Sequence, residues 1–127
     1  MTERNKILFI YLLSLFIIIG HVFEEIWGGF RGLLVMGTSA FLLTNWLLLF
    51  IPFMFFYFIL LEKRWAYYAG AIYSFLLILN GTTHIILALV TGQYFNLAAG
   101  AISGIAMVIL GIILSYLLIR HLRKTNA

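Results

Sequence analysis

The sequence predicts an all-α membrane protein: four antiparallel transmembrane helices in a bundle, one domain over residues 1–127, both termini cytoplasmic. Three observations lead there. The 127 residues are 65% hydrophobic and 9% charged, which is more apolar surface than a soluble domain of this size can hide. Four apolar runs are long enough to span: about Ile7–Ile26, Thr38–Leu61, Trp65–Val90 and Phe95–Ile119. No alternating β pattern accompanies them, so helices are the way to satisfy the backbone in lipid. Finally, the basic residues sort by side. With the N-terminus inside, Arg4, Lys6, Lys63, Arg64, Arg120, Arg123 and Lys124 are cytoplasmic and only Arg31 is outside, as the positive-inside rule requires.

The elements follow in order. The first run is too long for a signal peptide, and no small-x-small cleavage site follows it, so it stays as a helix. Leu33–Leu61 exceeds one perpendicular helix and predicts an interfacial segment after Gly28-Gly29-Phe30-Arg31-Gly32, with Pro52 kinking the span that follows. Glu62-Lys63-Arg64 is a tight inner turn, and Thr91-Gly92-Gln93-Tyr94 is the second outer turn. Turns this short make sequential helices antiparallel neighbours. On the fourth helix Gly100-Ala101-Ile102-Ser103-Gly104, Gly111 and Ser115 form a small-residue stripe suited to close packing inside the bundle. Trp27, Trp65, Tyr67, Tyr68 and Tyr94 suit the interfacial aromatic belts. The net charge of +4 is accounted for by the positive-inside split and implies no nucleic-acid partner. With no cysteine there are no disulfides and no thiolate chemistry. The expected location is the cell membrane, multi-pass, among membrane lipids.

The chemistry sits in His21-Val22-Phe23-Glu24-Glu25, inside the first apolar run. A charge there costs about 2.5–3.5 kcal/mol on insertion scales, so two adjacent glutamates need a proton, a metal or a cation. Helix rise puts His21 about 22 Å and Glu25 about 28 Å above Lys6. On the third helix Asn80 and His84 lie roughly 24 and 30 Å above Arg64, and on the second Asn45 lies about 24 Å above Leu61. With Glu24, all six fall in the outer third of the membrane. His21, Glu24 and Glu25 share one face of helix one, and Asn80 and His84 share one face of helix three, with Tyr73 deeper on that face. The expectation is an outward-opening polar pocket. A plainer reading exists for single members. Asn45 alone is most simply a structural hydrogen-bonding residue, Glu25 can snorkel to the interface, and a Glu–Arg31 pair can be purely structural.

Carboxylates and imidazoles at this depth support three functions. An enzyme acting on a lipid or other apolar small molecule could use His21, Glu24 or Glu25, and His84 to hold Zn²⁺ or Fe²⁺ with an open position for water. One helical turn cannot send all three of its polar side chains to one ion, so one glutamate is expected behind the ligands. The same enzyme without a cofactor would use a protonated glutamate as acid, with histidine as its partner and Asn80 orienting a histidine or ligand. The alternative is a small transporter or binding protein for a cation or amine, which with four helices calls for a homodimer. The third is a structural accessory protein.

His21-x-x-Glu24-Glu25 resembles the motif of the HXXEE family of small bacterial integral membrane proteins. Trp27-Gly28-Gly29-Phe30 is similar to the aromatic, glycine-rich segment that follows it there, and Asn80-x-x-x-His84 to the family's later Asn/His pair. Gln93-Tyr94-Phe95-Asn96-Leu97-Ala98-Ala99-Gly100 resembles its Tyr-x-Pro-Gly region without the proline, and Arg31 is the nearest counterpart of its arginine. The resemblance spans nearly the whole chain. It implies a four-helix fold and an enzyme, and no substrate.

Overall fold

A computed structural model describes residues 2–28, 37–92 and 100–126. They form four helices: α1 (Glu3–Trp27), α2 (Thr38–Leu60), α3 (Arg64–Thr91) and α4 (Ala101–Asn126). All four are long and apolar enough to cross a membrane. The interfacial segment expected before α2, and Gln93 to Ala99, lie outside the described residues, as does Arg31.

Hydropathy locates the apolar part of each helix, but capping sets its ends. At the start of α1, Thr2 Oγ1 accepts the Asn5 N–H at 3.2 Å, and Glu3 in the first turn complements the helix dipole. The helix therefore begins before Ile7. The described α4 runs from Ala101 through its basic last turn, and the Phe95–Ala99 part of the predicted run lies outside the described residues. Gly100 has φ +64°, and its carbonyl accepts the Gly104 N–H at 2.9 Å. Between α2 and α3 the chain turns on Glu62, at φ 57°. Lys63 N–H bonds Phe58 O and Glu62 N–H bonds Ile59 O, both at 3.0 Å. These two bonds close the end of α2 as a Schellman motif does, here without its usual glycine.

α4 packs against α3 and α1, and α2 packs against the same two helices. α1 and α3 therefore face one another across the bundle. The closest approach is between α3 and α4. A Cβ on Gly104 would lie 3.0 Å from Gly81 O, and one on Gly111 would lie 2.9 Å from Ser74 O. The small-residue stripe is thus spent on an internal contact.

Ile7, Tyr11, Leu15, Ile59, Tyr73, Leu77, Met107, Leu114 and Leu118 form the core. It carries a satisfied polar layer. Ser14 Oγ donates to Tyr11 O at 2.6 Å, and so receives the Tyr73 hydroxyl at 3.1 Å. Tyr11 OH donates to Pro52 O at 3.1 Å. At the end of the bundle that carries the N-terminus, Glu3 pairs with Arg120 (3.4 Å) and Lys124, and Arg4 with Glu62 (3.2 Å). Trp27, Trp65 and Tyr68 are exposed, as belt residues would be. Tyr67 is not. It is buried and stacks on His121 at a centroid distance of 4.5 Å. Tyr94 lies outside the described residues.

Candidate functional site

The site is built where the last turns of α1 and α3 meet the first turn of α4. A four-residue step along α1 brings His21 and Glu25 onto one face, and α3 supplies His84 from the opposite side. The three residues are buried, at 3%, 5% and 5% exposure. Glu25 Oε1 lies 3.5 Å from His21 Nε2 and 3.5 Å from His84 Nε2. One donor atom from each residue lies within 4.8 Å of the other two. The imidazoles meet edge to face, centroids 4.4 Å apart.

Gly100 makes this approach possible. A Cβ there would lie 2.6 Å from His21 Cε1 and 3.0 Å from both His21 Nδ1 and His84 Nδ1. Backbone without a side chain is what fits beneath the two rings, and the left-handed conformation of Gly100 is open to glycine at little cost.

The two glutamates do different things. Glu25 faces the imidazoles. Glu24 turns to α4, where its Oε2 accepts the Ser103 backbone N–H at 3.2 Å and the Ser103 hydroxyl in a very short contact. Ser103 Oγ is also 2.7 Å from His21 Nδ1. Glu24 Oε1 is buried, with no hydrogen-bond partner among the described residues.

The other residues singled out by sequence, where described, stand apart. Asn80 is exposed, and its Nδ2 donates to Met107 Sδ at 3.8 Å. Asn45 donates to Phe41 O of its own helix at 3.0 Å. Tyr73 lies at the level of Ser14, seven residues or about 10 Å along α1 from His21. Arg31 falls outside the described residues. Ser103 was missed as a site residue because a serine among glycines and alanines reads as packing. Only the rotation of α4 against α1 turns it toward His21.

The donor chemistry fits a metal. With ligand bonds of about 2.0–2.1 Å, a tetrahedral ion holds its ligand atoms about 3.3–3.4 Å apart, close to the two 3.5 Å separations found. Those separations exceed the usual 2.7–3.2 Å of a direct N–H···O bond. Two imidazoles and one carboxylate are a set that suits Zn²⁺ or Fe²⁺ and leaves coordination positions open.

No protein-family model, curated protein or solved structure matches the chain. The HXXEE resemblance accordingly rests on the residues quoted for it.

Proposed function

We propose that this chain is an integral enzyme of the cell membrane. In this reading His21, Glu25 and His84 hold a Zn²⁺ or Fe²⁺ ion that acts on a lipid or other apolar small molecule. The carrying observation is that three buried donor atoms from two facing helices converge within 4.8 Å. Burying a carboxylate and two imidazoles is costly, and a divalent ion repays it by bonding all three. When bound, the ion would supply Lewis-acid chemistry or an activated water at its open position. Glu25 and the two histidines would hold the ion, Gly100 lets both rings approach, and the surrounding apolar helices would exclude bulk water.

The reading includes alternating helix directions with both termini in the cytoplasm. Arg4 at the start of α1 meets Leu60 and Glu62 at the end of α2, and Glu3 meets Arg120 and Lys124 late in α4. That end also gathers seven of the eight basic residues, which supports its cytoplasmic placement.

Elemental analysis of protein purified from membranes without chelators tests the metal. Wild type should carry an equimolar transition metal, or take one up from Zn²⁺ or Fe²⁺. His21→Ala and His84→Ala should lose it while remaining folded. His121→Ala should keep it, because His121 stacks on Tyr67 at the other end. The metal reading is refuted if wild type binds neither ion, or if the two site variants retain it and merely melt earlier.

A further inference from the structure

We propose that Ser103 is a positioning residue. Bridging Glu24 to His21, it fixes the His21 tautomer with the proton on Nδ1, so that the unprotonated Nε2 is presented to whatever cation Glu25 binds. This rests on the metal reading for its purpose, but its geometry stands independently.

The proton count decides the direction of each bond. The Ser103 backbone N–H can only donate, and it points at Glu24 Oε2 at 3.2 Å. Oε2 is therefore an acceptor. With Glu24 ionised, neither of its oxygens has a proton to give, and the Ser103 hydroxyl, which contacts the same oxygen, sends its single proton there. The other acceptor in reach is Gly100 O at 3.2 Å, a longer contact to an uncharged oxygen. Bonds to a carboxylate are about twice as strong as neutral ones. Whichever oxygen takes the proton, Ser103 Oγ has none left for His21. The 2.7 Å contact between Oγ and His21 Nδ1 must then be made by an Nδ1–H donating to the hydroxyl oxygen. A neutral imidazole carries one ring proton, so Nε2 holds a lone pair.

That lone pair lies 3.5 Å from Glu25 Oε1. The lone pair and the carboxyl oxygen thus face each other across a gap of the size a bound ion would span. The arrangement is the carboxylate–histidine–metal pattern with a hydroxyl inserted, in which the outer partner sets ring orientation and raises ligand basicity. It also divides the adjacent glutamates. Glu25 faces the place where an ion would sit, and Glu24 acts on His21 through Ser103 from α4. The paired carboxyls of one helical turn therefore need not compete for one charge.

The test is nitrogen NMR of ¹⁵N-histidine protein in its metal-free form, together with metal titration of Ser103→Ala and Ser103→Thr. Wild-type His21 should show a protonated Nδ1 and an unprotonated Nε2. Ser103→Ala should lose that fixed tautomer and bind metal ten- to a hundredfold more weakly, with helix content unchanged because alanine favours helices. Ser103→Thr, which keeps the hydroxyl, should restore both. A wild-type His21 protonated on Nε2 overturns the proposal. So does a Ser103→Ala protein with unaltered tautomer and unaltered metal affinity. If no variant binds metal but the tautomer and its dependence on Ser103 hold, the relay stands and the metal reading falls. If metal binds and the tautomer ignores Ser103, the reverse is true.

Discussion

Gly100→Ala offers a direct measure of how tightly the two imidazoles are held. Gly100 has φ +64° at the N-terminal end of α4, and Gly92 has φ +68° at the C-terminal end of α3. An alanine at either position pays the left-handed backbone penalty of about 1–2 kcal/mol. The surroundings differ. Around Gly92 nothing lies within 4 Å of the added Cβ, whereas at Gly100 the methyl would stand 2.6 Å from His21 Cε1 and 3.0 Å from His84 Nδ1. Neither ring can retreat freely, since His21 is anchored to Ser103 and both are packed edge to face. Overpacking of this kind costs about 1–3 kcal/mol more. Unfolding in detergent should therefore show Gly92→Ala weakened by the backbone term alone and Gly100→Ala by the sum of both. Metal titration should show Gly92→Ala near wild type and Gly100→Ala strongly impaired, because the rings must part to admit the methyl. Equal stability losses and equal metal affinities in the two variants would refute the assignment of Gly100 as the floor of the site.

Two further outcomes follow from the polar layer and the ionic end. Tyr73→Phe removes one buried hydroxyl from the Ser14 layer and should cost about 0.6 kcal/mol, at most about 1.7. Its metal affinity should be unchanged, and an impaired site would mean that the layer and the cluster are coupled. In single-cysteine variants of this cysteine-free chain, Lys63→Cys and Lys124→Cys should be labelled by impermeant reagent only from the cytoplasmic side. Thr91→Cys should be labelled only from the opposite side, and outer-side labelling at position 63 would overturn the topology.

The three converging residues were legible because two constraints acted on them together. Helix rise gave His21, Glu25 and His84 one depth, and spacing gave each helix one polar face. Depth alone overreached. Asn80 is at the right level, but its amide reaches Met107 Sδ on α4, and i, i+4 spacing alone does not say which neighbour a side chain meets. Asn45 shares the level and spends its amide on its own helix. Ser103 was illegible for the opposite reason. Nothing in a run of small residues distinguishes a serine that fills space from one that bridges two ionisable groups, since the difference lies in how two helices are rotated. Tyr67 shows the same limit. An aromatic at a helix end fits the belt by composition, and only the packed bundle reveals that it lies inward, against His121. Helix ends escaped hydropathy because Thr2 and Gly100 act through single hydrogen bonds and backbone angles.

The division of the site among helices has a consequence for biosynthesis. α1 leaves the ribosome ahead of α3 and α4, carrying two adjacent glutamates and one histidine, and must enter the bilayer before α3 supplies His84 or α4 supplies Ser103. α3 and α4 have their own close glycine seam and can pair as a hairpin without α1. The cluster therefore closes late, when the first helix docks on that hairpin. An ion captured at this step would act as a latch, its binding energy becoming assembly energy. Chains made under metal starvation would then carry a loosely seated first helix, the kind of membrane protein that quality-control proteases remove.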